Sequence, residues 1–236
     1  MDKDKLLDLF YPPRCPVCGR ILKTPSRYIH ETCRRELPWI HEPRCKRCGA
    51  PLEDPTRELC RDCRKRTFSF QSGRSLWVYE KKAKQITLDY KYKNKKEYTR
   101  FFVDEMARDY GEWIVKNRIR YIVPVPLNKK KRRDRGYNQA ELLAVGLGKR
   151  LGIPVYEAGL VRLRYTSPQK QLGPIERRRN LEKSIRAGKL PDRTGPVLLI
   201  DDIYTTGATM EACAKALKQA GVKKIFFLTL CGSHGS

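Results

Sequence analysis

Acidic side chains are scarce in this chain, and long apolar runs are missing. Asp and Glu number 26 against 51 Lys and Arg, a formal net charge of +25 over 236 residues. A field of that size attracts polyanions and speeds their association. Nucleic acid is the leading class of partner on this ground, with nucleotides and phosphorylated sugars as smaller candidates. The longest apolar runs, such as Val197–Ile200 and Ile225–Leu228, are strand-sized, far short of the ~20 residues that span a bilayer. Met1–Phe10 is interrupted by Asp2, Asp4 and Asp8 and has no secretory apolar core. A cytoplasmic location is expected. Thiols stay reduced there, so nine cysteines point to metal binding or reactivity rather than disulfides. No internal repeat is evident. A glutaminase nucleophile is also lacking, since the N-terminus is Met1-Asp2 and the nearby cysteines are spaced as ligands.

Seven of the nine cysteines lie between Cys15 and Cys63, in a segment poor in periodic apolar patterning. Such a segment buries little core alone and needs a staple. Four pairs stand at two-residue spacing: Cys15/Cys18, His30/Cys33, Cys45/Cys48 and Cys60/Cys63. Two such turns complete a zinc tetrahedron, and four ligands with no open position make a structural site. Sequential pairing gives one site of three thiolates and an imidazole and one all-thiolate site. Spacing alone also permits an interleaved pairing. Cys213 and Cys231 are isolated and read as small core residues.

From Arg74 onward the texture changes, and the chain is divided into a zinc-binding part, 1–70, and a second domain, 71–236. Strands are expected at Ser75–Tyr79, Arg120–Pro126, Val197–Ile200 and Ile225–Cys231. Helices are expected near Lys82–Tyr92, Glu97–Lys116, Tyr137–Leu151 and Met210–Ala220, the last closed by Gly221. A long polar stretch from Tyr165 to about Arg179 reads as a loop. This alternation implies an α/β fold with a mainly parallel sheet flanked by helices.

The most informative stretch runs from Val197 to Thr209: four apolar residues, Asp201-Asp202-Ile203-Tyr204, then Thr205-Thr206-Gly207-Ala208-Thr209. Ligands of open α/β sheets bind at the carboxyl ends of strands. Backbone N–H groups at a helix start, with three threonine hydroxyls, suit a phosphate. The two carboxylates would repel that phosphate but accept hydrogen bonds from sugar hydroxyls. The motif alone therefore suggests a ribose 5-phosphate.

This stretch resembles the phosphoribosyl pyrophosphate (PRPP) signature of type I phosphoribosyltransferases. Further segments resemble the ComF family: Arg135-Gly-Tyr-Asn-Gln139, Pro124-Val-Pro126, Pro168-Gln169, Arg177-x-x-Asn180 and Leu9-Phe-Tyr-Pro-Pro-Arg-Cys15. His30 stands where many relatives have cysteine, an equally good zinc ligand. The resemblance implies a zinc module before a type I phosphoribosyltransferase-like domain that binds PRPP with Mg2+, a role in natural transformation, and a competence helicase or translocation partner. Asp201, Asp202 and Arg135 are then the candidate catalytic residues. Thr205–Thr209, Pro126, Arg164, Gln169, Lys170 and Arg177 are the candidate PRPP contacts, the later ones on a hood closing over the ligand. The alternative is an active phosphoribosyltransferase, displacing pyrophosphate with an acceptor that no residue set here names.

Single-stranded DNA is a second expected ligand. Lys91, Tyr92, Lys93, Lys95 and Lys96 interleave cations with an aromatic ring, and Tyr90 and Tyr98 flank them. Lys130, Lys131, Arg132 and Arg133 add a dense cluster with only Asp134 against it. Cations take phosphates and rings take bases in such a pattern, although Tyr90 and Tyr98 also fit core positions of helices.

Overall fold

The computed structural model describes residues 12–22, 28–163, 173–190 and 195–234. The zinc segment contains two short helices, α1 (Glu31–Arg35) and α2 (Arg61–Lys65). The second part runs β1 (Ser72–Val78), α3 (Lys81–Tyr92), α4 (Tyr98–Lys116), β2 (Tyr121–Pro124), α5 (Lys129–Arg135) and α6 (Gln139–Leu151). It continues with β3 (Leu160–Arg162), α7 (Pro174–Ser184), β4 (Ile185–Ala187), β5 (Val197–Tyr204), α8 (Ala208–Gln219) and β6 (Ile225–Gly232). The main sheet has the order β1-β6-β5-β2 and is parallel throughout. β3 and β4 form a separate antiparallel pair.

The zinc segment corrects one expectation: it is a repeat with a 30-residue offset. Arg14 bridges Ile21 as Arg44 bridges Pro51. The Leu22 N–H donates to the Pro13 carbonyl as Leu52 does to Pro43, and Gly19 to Cys15 as Gly49 does to Cys45. α1 and α2 occupy the same place in each copy. The repeat is hard to see because little beyond the ligands and the Pro-Arg-Cys and Cys-Gly pieces is shared.

Burial explains the apolar run of β5. Leu198 and Ile200 pack with α3, α4 and α6 residues such as Ile86, Phe102 and Leu143 on one face. Val197 and Leu199 pack with Met210, Cys213 and Leu217 of α8 on the other. A strand covered on both faces has no reason to alternate with polar residues. Cys213 and Cys231 are fully buried core residues, as expected.

Three boundaries differ from those expected. β5 continues through both acids to Tyr204, so Asp201 and Asp202 lie within the strand rather than beyond it. Lys129–Arg135 forms α5, with the Asn128 side chain accepting from the Lys130 N–H at its start and Gly136 in the left-handed region at its end. Residues 174–184 are helical, where a loop to about Arg179 was expected. The Gly173 N–H donates to Glu176 at the start of α7. The residues that follow are good helix formers, but with scarcely an apolar stripe they leave no periodic signal.

One buried charge ties the zinc segment to the sheet domain. Glu105 of α4 is 1% exposed and receives Arg34 of α1 through both nitrogens of its fork, at 3.0–3.3 Å, and Arg108 at 3.0 Å. Arg34 also lies over the Trp39 ring. Replacing Glu105 with Leu leaves two cations without their carboxylate. The expected loss is about 2 kcal/mol, below the value for a fully buried pair because both arginines reach solvent. An unchanged midpoint in urea unfolding would refute this.

Candidate functional site

The metal ligands resolve into the sequential pairing. Cys15, Cys18, His30 and Cys33 form one group and Cys45, Cys48, Cys60 and Cys63 the other, with ligand atoms within 4.8 Å of one another in each. A zinc tetrahedron with ordinary bond lengths puts sulfurs ~3.8 Å apart and a sulfur and imidazole nitrogen ~3.6 Å apart. Cys48 Sγ lies 3.7 Å from Cys60 Sγ, and Cys18 Sγ 3.4 Å from His30 Nδ1. The residues therefore fit two structural zinc sites. In each, the first pair sits on a knuckle and the second at a helix start, with His30 and Cys60 as N-caps of α1 and α2. The all-cysteine site is wholly buried, whereas Cys18 of the first is exposed.

At the carboxyl end of β5 the two acids part. Asp202 turns toward α3, where Lys91 Nζ lies 2.9 Å from its Oδ1 and both side chains are largely buried. Asp201 turns toward α8, near Arg162 and Cys213. Its Oδ1 accepts the Asp202 N–H at 2.9 Å. Burial first, and the Asp202 charge second, push the Asp201 carboxyl up to about 7, against the opposing pull of Lys91 and Arg162. Arg162 itself is lowered by burial.

Beyond Tyr204 the chain turns through exposed Thr205 and Thr206 into Gly207, whose φ of 74° is left-handed, and α8 begins. A β-carbon on Gly207 would stand 2.6 Å from the Tyr204 hydroxyl. Both conformation and space require glycine there. Ala208 and Thr209 open the helix, where N–H groups lack intrahelical partners. A cavity of about 300 Å³ adjoins this turn, walled by Thr206–Ala208, by Arg178 and Lys215, and by Lys65, Arg66 and Phe68 from beside the second zinc site. Glu211 in its wall is already engaged, accepting the Ser69 N–H and hydroxyl at 2.7 and 2.8 Å. Sequence reasoning missed the zinc segment's share in this wall, because no local signal brings residues 65–68 to residue 207.

The Arg135–Gln139 segment is a joint between elements. Arg135 donates to Gln139 Oε1 at 3.1 Å and to the Tyr92 hydroxyl at 3.0 Å, with its guanidinium over the Tyr92 ring. Tyr137 donates to the Tyr90 carbonyl. Asn138 caps α6 and holds the Val125 carbonyl, fixing the loop that carries Pro126. This places Arg135 beside α3 rather than free over β5.

The expected single-strand patch is largely spent internally. Tyr90 and Tyr98 are buried. Lys93 pairs with Asp89 and Lys95 with Glu97, Lys96 lies over the Tyr137 ring, and Lys91 is held by Asp202. Tyr92 stays 66% exposed. On α5, Arg132 pairs with Glu141, while Lys130, Lys131 and Arg133 are exposed. Arg164, Gln169 and Lys170 lie outside the described residues, as does the Arg177 side chain.

Comparison with known proteins finds the following likenesses. Residues 6–64 match the double zinc ribbon domain. Competence protein F of Haemophilus influenzae is 37% identical over 108 residues, 44% of this chain and 46% of that protein. Competence protein ComFC of Bacillus subtilis is 28% identical over 208 residues, covering 88% of this chain and 72% of that one. DNA utilization protein YhgH of Salmonella typhi is 34% identical over 110 residues, 47% of this chain and 48% of that protein. The chain thus spans about half the length of the Haemophilus and Salmonella relatives and most of the Bacillus one. Among solved structures, partial likeness is found to the glutamine PRPP amidotransferase of Bacillus subtilis (TM-score 0.40, 17% identity, 60% of this chain and 30% of that one). The same holds for the adenine phosphoribosyltransferase of Leishmania tarentolae (TM-score 0.38, 14% identity, 61% of this chain and 74% of that one). With a double zinc ribbon ahead of a parallel sheet, the chain is similar over most of its length to competence protein ComFC and over about half of it to competence protein F.

Proposed function

We propose that the end of β5 and the start of α8 form a binding site for a ribose 5-phosphate, with PRPP carrying Mg2+ as its ligand. The observation that carries this reading is the order of groups at one strand end. A carboxyl pair is followed by a glycine-dependent turn that opens a helix. The phosphate takes the N–H groups and hydroxyls of Thr205–Thr209, and the ribose hydroxyls take Asp201 and Asp202. Exposed cations of α5 face the pyrophosphate, and the segment with Arg164, Gln169, Lys170 and Arg177 serves as the hood. The division at residue 70, the cytoplasmic location and a role in DNA uptake belong to the same proposal. The names of the relatives and the charge of +25 support the last. Single-stranded DNA is its polyanion, met by Lys130, Lys131 and Arg133, and a helicase or translocation protein is its partner.

Calorimetric titration with PRPP and Mg2+ tests the site. Wild type is expected to bind, and the Asp201→Asn/Asp202→Asn double variant to lose at least tenfold in affinity, since two hydroxyl–carboxylate bonds weaken together. Equal affinity in the two proteins sinks the reading. DNA binding measured on the same pair should be unchanged if the strand lies on α5.

A second reading, an active phosphoribosyltransferase, is favoured by one observation: Asp201 titrates at about 7, where a carboxylate can take a proton from an incoming acceptor. Release of pyrophosphate that depends on an added acceptor and on Asp201 is the corresponding test.

A further inference from the structure

The zinc segment brings cations to the cleft beside the β5–α8 turn that the ribose-phosphate reading leaves unused. This cavity of about 300 Å³ is walled by Lys65, Arg66 and Phe68 at and beyond the end of α2, by Arg178 of α7 and by Lys215 of α8. The two acids in its wall are satisfied from within. Glu182 accepts from Lys215 at 2.8 Å, and Glu211 accepts from Ser69. Lys65, Arg66 and Arg178 are exposed, and none of them pairs with an acid among the described residues. Cys60 and Cys63 of the second metal site anchor α2, of which Lys65 is the last residue. The ribbon therefore holds two of these three cations in place.

Three like charges around one concave space repel one another, and low-dielectric walls focus their field on whatever enters. An anion relieves that repulsion. Number and shape decide which anion. Three separate cations suit the successive phosphates of a chain, where each neutralised phosphate releases a counterion. Phe68, partly buried and stacked on Phe70 with ring centroids 4.8 Å apart, sets an aromatic ring among them. Cations and an aromatic ring along a groove are the combination that holds single strands without regard to sequence. A cavity of this volume has no room for a duplex, whose major groove alone is ~12 Å wide.

We propose that this cleft is a contact for single-stranded nucleic acid, in which Lys65 and Arg66 of the zinc segment and Arg178 of α7 take backbone phosphates. It is separate from the strand contact proposed on α5 and goes beyond it, since it makes the second ribbon part of the binding surface as well as part of the core.

The test measures binding of a fluorescent single-stranded oligodeoxynucleotide of mixed sequence to the full chain, by anisotropy over a series of salt concentrations. The cleft variant is Lys65→Gln/Arg66→Gln/Arg178→Gln. The control, Lys218→Gln/Lys223→Gln/Lys224→Gln, removes the same charge at the opposite end of the parallel strands, near the end of α8 and the start of β6. All six residues are exposed, so neither variant disturbs the core. The cleft variant is expected to lower the slope of log affinity against log salt by about 2, three single-strand phosphate contacts at ~0.7 each, and to bind at least tenfold more weakly near 0.1 M salt. The control should change the slope by less than about 1. Equal losses in the two variants, or a wild-type slope in the cleft variant, overturn the cleft. They leave the α5 contact to be judged by its own variant, Lys130→Gln/Lys131→Gln/Arg133→Gln. A wild type that binds no strand overturns both contacts. Annealing the complement should remove the cleft's share of binding. A duplex that depends on the same three cations overturns the assignment to a single strand.

Discussion

Loss of the all-cysteine zinc site should unfold far more of the protein than loss of the other site. Structural zinc contributes ~10 kcal/mol or more to small ribbons, comparable with the whole stability of an ordinary domain. What differs between the two sites is what they support. Cys45, Cys48, Cys60 and Cys63 are buried in one core with Phe70, Tyr204 and Phe227. Phe70 meets the Phe227 ring edge-on at 4.9 Å, and Tyr204 stacks on Phe227 at 4.7 Å. Tyr204 and Phe68 in turn back Gly207, the residue on which the phosphate turn depends. The first site is less enclosed, with Cys18 exposed. Cys48→Ser is therefore expected to abolish the cooperative melting of the chain, and Cys18→Ser to lower zinc content by one ion per chain while the sheet domain still melts cooperatively. Metal analysis and circular dichroism melts on the two variants decide it. A Cys48→Ser protein that melts like wild type would show that the ribbon is an appendage and not part of the sheet's core.

The parts legible in the sequence were those with a periodic or spaced signal. The strand Val197–Ile200, the helix Lys82–Tyr92 and the eight metal ligands all have one, because burial on two faces, an amphipathic stripe and a tetrahedron each demand residues at fixed intervals. What stayed hidden lacked such a signal. α5 is a run of cations whose only marks are Asn128 and Gly136 at its ends. β3 and β4 are three residues each and find their partner across 22 intervening residues. The separation of the two acids was also invisible. Adjacent carboxylates read as one clamp, yet the backbone of β5 sends one toward Lys91 of α3 and the other toward α8. The lysines after residue 90 misled for a related reason. Composition counts every cation as available, whereas Lys93 and Lys95 pair with Asp89 and Glu97 within their own segment.

That separation sets up the second large effect. Asp201 has a folded pKa of about 7, against about 3.9 for an unperturbed aspartate. The folded protein therefore prefers the neutral carboxyl. Well below pH 4 both states are protonated and the residue contributes its full share. As pH rises from 4 through 7 the unfolded chain ionises first, so stability falls across that window and stays lower above it. Asn mimics the neutral acid and can still accept the Asp202 N–H through Oδ1. Asp201→Asn is thus expected to match wild type near pH 4 and to be more stable at pH 8 by about 3 kcal/mol, partial exposure trimming the full linkage value. For a chain of this size that is roughly 8 °C in Tm. Thermal melts of both proteins at pH 4, 6 and 8 give the comparison. A variant no more stable than wild type at pH 8 would mean that Asp201 is ionised at little cost. A growing difference would mean that the strand end holds a destabilising acid in place, which a folded core alone does not require and a sugar-binding carboxylate does.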